Sequence, residues 1–196
     1  MVKWKITNIV FTLKFNINFS IEKIASILTE NEILIDYDPD SFPAIFITLE
    51  NNKNEKPKKI TVFRTGIINI YGLKKIDEVY DIINKIKEIF NKIGINLPNN
   101  YEMKLNNIVI NGNFDYKNID IEKIYNDFDN VQYDPDRFPA ISIPYYFSKD
   151  YKVTFNIFKE GYFICAGIKA DLNNIDQHIN EIVNSFQENV IKKYIK

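Results

Sequence analysis

Apolar residues along the chain recur at two periods, and the switches between them predict a run of elements that occurs twice. In the first half, Ile6 to Phe15 has the alternation of a strand with one buried face, and Ser20-Ile21-Glu22-Lys23 opens a short helix with Ser20 as N-cap. Ile45 to Glu50, Ile60 to Phe63 and Ile67 to Tyr71 follow as short strands, the last two joined by a tight hairpin at Arg64-Thr65-Gly66. The period then lengthens. Ile76, Val79, Ile83, Ile86, Phe90 and Ile93 recur every three or four residues, the stripe of a long helix that Gly94 closes.

The second half repeats the order: a strand from Leu105, a short helix near Ile121 to Phe128, strands at Ile141, Val153 to Phe158 and Tyr162 to Ala166, and a helix carrying Ile175, Ile179, Ile182, Phe186 and Val190. One phrase makes the duplication explicit. Tyr37-Asp38-Pro39-Asp40-Ser41-Phe42-Pro43-Ala44-Ile45 returns 96 residues later as Tyr133-Asp134-Pro135-Asp136-Arg137-Phe138-Pro139-Ala140-Ile141. Asn8 and Asn107 pair at a spacing of 99, and Phe63/Phe158, Gly66/Gly161, Gly72/Gly167 and Lys74/Lys169 at 95. A two-copy repeat of this length suggests two related halves about a pseudo-twofold axis, with the junction at Asn96 to Asn100. Hairpin-ordered strands followed by a helix in each half imply an α+β fold, an antiparallel sheet with helices on one face.

With 196 residues, 45% hydrophobic and 14% aromatic, the chain can bury a sizeable core. One cysteine, Cys165, excludes an internal disulfide framework, and one histidine, His178, leaves no Cys/His cluster for a metal. Neither a signal peptide nor a membrane-spanning apolar run is evident, which predicts an intracellular protein of the cytoplasm or nucleoid (the nucleus in a eukaryote), with no membrane partner. No glycine-rich phosphate loop or nucleophile elbow occurs, so no enzyme and no cofactor are expected. His178, in a helix rich in Asn, Asp and Gln, is expected to face solvent. The net charge of −1 argues against strong nucleic-acid affinity, because cationic neutralisation of phosphate supplies much of it. The charge is uneven: residues 1–98 carry 14 Lys/Arg against 12 Asp/Glu, and residues 99–196 carry 11 against 14.

Asn-Ile-Val on the first strand, Tyr-acid-Pro-acid-x-Phe-Pro-Ala, Phe-x-x-Gly at a hairpin and Gly-x-Lys before the long helix occur in both halves. This combination resembles the TATA-box-binding protein family over essentially the whole chain. The resemblance implies repeats at 1–95 and 101–196, forming a pseudo-twofold saddle of ten curved antiparallel strands with four helices on the convex face. It implies double-stranded A·T-rich DNA under the concave sheet, bent through its minor groove. Phe42, Phe63, Phe138 and Phe158 take the family's wedge positions, where an apolar ring enters between base pairs; this family is itself the type case for such kinking. Asn8 and Asn107, flanked by Val10 and Val109, take its central groove positions. A carboxamide can donate to A N3 and T O2, while valine packs where a guanine amino group would clash. Asn106, beside Asn107, is assigned to the opposite face by strand alternation. Asn69, Tyr71, Asn156, Ile164 and Ala166 complete the expected groove floor.

The departures predict a divergent paralogue. Lysine and threonine common at the family's hairpins are replaced in Thr65-Gly66-Ile67 with Tyr71 and in Glu160-Gly161-Tyr162 with Ala166, and the arginine beyond Phe-Pro-Ala by Thr48 and Pro144. Arg64, Lys159, Lys58, Lys59 and Lys152 remain as phosphate candidates. In the second repeat the acidic turn implies contact with the B-type initiation factor, and through it the RNA polymerase machinery, by Asp134 and Asp136. A monomer on DNA is expected, with a dimer off DNA left open, since an apolar sheet face can self-associate. The rival reading is a saddle that has altered or lost TATA recognition and acts as a protein-interaction or regulatory module.

Overall fold

The computed structural model describes residues 2–49 and 57–195. The C-terminal end of the strand expected over Ile45 to Glu50 lies at Glu50, outside them. Ten antiparallel strands and four α-helices follow in the order β1 (Lys3–Lys14), α1 (Ile21–Glu30), β2 (Ile35–Asp36), β3 (Ala44–Leu49), β4 (Lys58–Phe63), β5 (Ile67–Leu73), α2 (Glu78–Lys92), β6 (Glu102–Asn113), α3 (Ile121–Asp127), β7 (Gln132–Asp134), β8 (Phe138–Ser148), β9 (Tyr151–Ile157), β10 (Tyr162–Ile168) and α4 (Ile175–Asn189), with a 3₁₀ turn at Ile191–Tyr194. The strand order is β2-β3-β4-β5-β1-β6-β10-β9-β8-β7. Two compact units result: an N-terminal unit, Asn8–Asn106, and a C-terminal unit that joins Met1–Thr7 to Asn107–Lys196. Each of the long strands β1 and β6 gives one half to each unit.

In the N-terminal unit, Ile9, Phe11, Leu13, Ile45, Ile47, Ile60, Val62, Ile68 and Ile70 are buried on the helix-bearing face, and Asn8, Val10, Thr12, Phe46, Lys59, Asn69 and Tyr71 alternate with them onto the open face. The α2 stripe of Val79, Ile82, Ile83, Ile86 and Phe90 covers that core. The helix begins at Glu78 and not at Ile76, and Gly94 ends it at φ 76°, its N–H donating to Asn91 O. Ser20 stands at the α1 N-cap without a side-chain bond, whereas Asp120 caps α3 by accepting from Lys123 N at 3.2 Å. Lys58 is corrected as a phosphate candidate. It shares the parity of Ile60, is 6% exposed, and pairs with Glu78 of α2 at 2.7 Å.

The C-terminal unit builds its core with more rings. Phe155 stacks on Phe186 of α4 at 3.8 Å between centroids, and Phe163 on Phe114 at 4.4 Å. Trp4 Nε1 donates to Asn180 Oδ1 at 2.9 Å, tying the first half of β1 to α4. His178 does not simply face solvent: it lies parallel to Tyr151 at 5.6 Å and edge-on to Phe147 at 5.7 Å. Its position on α4 opposite the β8–β9 turn accounts for this. Burial pushes the Cys165 thiol far above its ordinary pKa, and it is a buried, inert residue of β10. Among the described residues no helix is long and apolar enough to cross a membrane, and no group of three or more His, Cys, Asp or Glu could hold a metal.

Candidate nucleic-acid interface

Each unit carries a pair of phenylalanines set edge to face. In the N-terminal unit Phe42, 41% exposed, meets Phe63 at 5.8 Å and 71°; in the C-terminal unit Phe138, 43% exposed, meets Phe158 at 5.6 Å and 74°. The local sequence builds these pairs. The Tyr-Asp-Pro-Asp turn leads Phe42 and Phe138 to the start of a strand, and the hairpin places Phe63 and Phe158 beside them. Gly66 closes the first hairpin at φ 78°, where an added Cβ would also collide with the backbone oxygens of Phe15 and Ile17. Rings this exposed at matching places in both units mark an apolar contact surface.

The duplicated asparagines have matching environments. Asn8 Oδ1 accepts from Gly72 N at 2.8 Å, and Asn107 Oδ1 accepts from Gly167 N at 2.8 Å. Both glycines sit in register shifts, at φ 90° and φ 88°, so an unpaired backbone N–H at each bulge fixes the carboxamide by its oxygen. The nitrogen is left as a donor. Val10 and Val109, two residues further on, are half-buried on the same face as each asparagine.

Asn106 corrects the alternation argument. Its Nδ2 donates to Thr12 Oγ1, on the open face, although strict alternation assigns it to the other side. Thr7, the equivalent residue 99 positions earlier, likewise donates to Val109 O at 3.2 Å and Asn111 Oδ1 at 3.4 Å. The Asn106 carboxamide therefore joins the open-face polar side chains of the N-terminal unit. Sequence reading did not single out Thr7, Thr12 or Asn111; their spacing of 99 to Asn106, and of 12 to 111, was the available signal.

Across the rest of the open face the units differ. In the N-terminal unit, Thr12 Oγ1 donates to Asn69 Oδ1 at 2.6 Å, and Asn69 Nδ2 donates to Tyr71 Oη at 3.1 Å. Phe46 stacks on Phe42 at 5.4 Å, extending the aromatic pair to three rings. Thr61 is 1% exposed, and its hydroxyl has no hydrogen-bond partner. In the C-terminal unit the corresponding β10 positions are Ile164 and Ala166, both half-buried, and Asn156 of β9 stands between Ser142 and Ile164 in register. Of the basic candidates, Lys159 is exposed, while Arg64 donates to Glu22 Oε1 at 2.7 Å in an exposed ion pair. Asp134 and Asp136 are exposed at the end of β7 and in the turn after it.

A family model described as "Transcription factor TFIID (or TATA-binding protein, TBP)" matches residues 3–93 and again 102–189. The chain belongs to the TATA-binding protein family. The TATA-box-binding protein of Pyrobaculum neutrophilum is 26% identical over 186 residues, 94% of this chain and 87% of that one. That of Picrophilus torridus is 28% identical over 190 residues, 96% of each. The solved structure of Methanococcus jannaschii TBP superposes with a TM-score of 0.68 at 24% identity, over 95% of this chain and 99% of that one, and shares the fold. Family membership and the ten-stranded sheet with an internal repeat agree with what the duplicated motifs imply.

Proposed function

We propose that this protein binds double-stranded A·T-rich DNA through the minor groove, bends it, and presents the complex to a B-type initiation factor and the transcription machinery. The duplicated exposed phenylalanine pairs carry the reading: Phe42 with Phe63 and Phe138 with Phe158, one pair per unit at nearly the same distance and angle. Unstacking costs a few kcal/mol per base step, and contact with the bent duplex offsets it. Asn8 and Asn107, held by their oxygens, offer Nδ2 to A N3 and T O2, and Val10 and Val109 leave little room for a guanine amino group. Ile164, Ala166 and Asn156 extend the floor in one unit, and Asn69 and Tyr71 in the other. Arg64 and Lys159 meet phosphate, Arg64 on leaving Glu22. Asp134 and Asp136 meet the factor. The family consists of DNA-binding transcription factors, and no catalytic role is assigned to any residue.

The test is energy transfer across an end-labelled A·T-rich duplex, with and without the factor, for the wild type and a variant with all four phenylalanines changed to alanine. Bending by the wild type and its loss in the variant are expected; bending that survives the variant removes the wedge assignment. Changing Asp134 and Asp136 to alanine should weaken factor recruitment and leave bending intact. A second reading, a protein-interaction module without DNA recognition, draws on the net charge of −1 and on the engagement of Arg64 by Glu22. It predicts factor binding without selective DNA binding.

A further inference from the structure

Resting on the groove reading above, we propose that Tyr71 makes the stretch of DNA beneath the N-terminal unit tolerate a guanine that the stretch beneath the C-terminal unit rejects. In the minor groove an A·T pair shows only acceptors, and a G·C pair adds one donor, the guanine N2 amino group. Rejecting guanine takes an apolar floor against that amino group. Accepting it takes an unshared lone pair at the same depth.

The N-terminal unit supplies the second condition. Its hydrogen bonds run in one direction: Asn106 Nδ2 donates to Thr12 Oγ1, Thr12 Oγ1 to Asn69 Oδ1, and Asn69 Nδ2 to Tyr71 Oη. The threonine hydrogen is committed to Asn69 Oδ1, which fixes the amide so that its nitrogen faces the phenol. Tyr71 Oη therefore receives one bond and retains one lone pair and its own hydrogen. The lone pair can accept from guanine N2, and the hydrogen can be donated to A N3 or T O2, so the same side chain serves either base pair.

The C-terminal unit lacks this phenol and the bonds that orient it. Ile164 and Ala166 stand at the positions of Asn69 and Tyr71, 95 residues on, and the chain of bonds stops at Thr7 and Asn111. A guanine amino group directly over Ile164 or Ala166 loses its water and meets no acceptor on those side chains; the Asn156 carboxamide stands one strand over, on β9. One unit thus reads A·T strictly and the other reads it loosely.

The test is fluorescence anisotropy with an all-A·T duplex and a set in which one G·C pair is walked through it, each repeated with inosine·C, which lacks only the N2 amino group. For the wild type, G·C at positions in one half should bind within about threefold of the all-A·T duplex, and in the other half roughly tenfold or more weaker, the scale of one unfavourable base pair. Inosine should abolish the difference between halves. Tyr71→Phe keeps the ring and removes only the hydroxyl, so both halves should then reject guanine alike, read as the ratio to the all-A·T duplex of the same variant. Equal rejection in both halves by the wild type, or tolerance that persists in Tyr71→Phe, overturns the assignment while leaving groove binding in place. Failure to bind every duplex overturns the groove reading and this one with it.

Discussion

The N-terminal and C-terminal units solve one packing problem with different side chains. At the same place in the sheet, Leu13 of β1 pairs with Ile68 of β5 in one unit, and Gly112 of β6 pairs with Phe163 of β10 in the other. Two medium residues have become the smallest residue and a ring. A Cβ added at Gly112 would press into the Phe163 ring and approach Lys3 O at 2.7 Å. The ion pair Lys58–Glu78 has no counterpart either, since Val153, 95 residues after Lys58, is 1% exposed in an apolar setting. By contrast, the bulge glycines with their asparagines and the exposed phenylalanine pairs keep their geometry in both units. Interior volume is tradable between neighbours, whereas a backbone N–H at a bulge or a ring aimed outward has no substitute next to it.

The sharpest break of this comparison is at Gly112. Gly112→Ala should destabilise the protein by about 3 kcal/mol, the upper range for overpacking a close-packed interior. Adding Phe163→Ile, which moves the pair toward the composition of Leu13 and Ile68, should recover part of that loss. Urea denaturation of the two single variants and the double measures the coupling, and strictly additive losses would refute the compensation. The next effect is at Glu78. Glu78→Gln leaves the Lys58 ammonium buried without its partner and should cost about 2 kcal/mol, reduced from the fully buried case because Glu78 is partly exposed. Lys58→Met combined with Glu78→Leu, an apolar solution like that around Val153, should restore stability to within about 1 kcal/mol of the wild type.

A smaller effect of opposite sign is expected at Thr61. Its hydroxyl is buried without a partner, and Thr61→Val keeps the shape while removing the unsatisfied group, so stability should rise by about 1 kcal/mol. A loss on thermal melting would show that the hydroxyl is satisfied in solution. The equivalent residue, Asn156, is half-buried, and Asn156→Val should change stability less.

Much of this was legible before any coordinates. The long helix α2, the hairpin at Gly66 and the duplicated phenylalanines follow from a 3.6-residue period, a turn signal, the repeated phrase and the spacing of 95 between Phe63 and Phe158. The edge strands β2 and β7 were not, because two or three residues set no period of their own and are fixed by pairing with β3 and β8. Lys58 was misread for a related reason. Alternation alone assigns it to the face of Ile60, but a lysine suggests solvent unless a partner such as Glu78, 20 residues away, is known. Asn106 was misread because alternation counted from Asn107 takes no account of the bond its amide makes to Thr12, 94 residues away, and the bulges opposite β1 and β6 are announced only by the glycines at 72 and 167.

The smallest expected effect separates the two copies of the acidic phrase. Asp38 Oδ2 accepts from Ser41 Oγ at 2.5 Å, and Asp38 Oδ1 from Asp40 N at 3.1 Å. The Ser41 hydroxyl, and after it the Asp40 N–H, hold the Asp38 carboxyl below its ordinary pKa. A depressed folded value means that the turn's contribution to stability is complete above the unfolded value, near pH 4, and is lost as pH falls through the folded one. Ser41→Ala should therefore raise the Asp38 titration midpoint toward the ordinary value by NMR and move the acid edge of the stability curve slightly upward. An unmoved midpoint would show that the hydroxyl does not hold this carboxylate. In the second copy Arg137 replaces Ser41, and its Nε stands 4.0 Å from Asp134 Oδ2 with both side chains exposed. The first acid spends its oxygens on its own turn. The second, Asp134, lies exposed beside the Arg137 guanidinium and makes no comparable bond to a side chain of its own turn at hydrogen-bond distance.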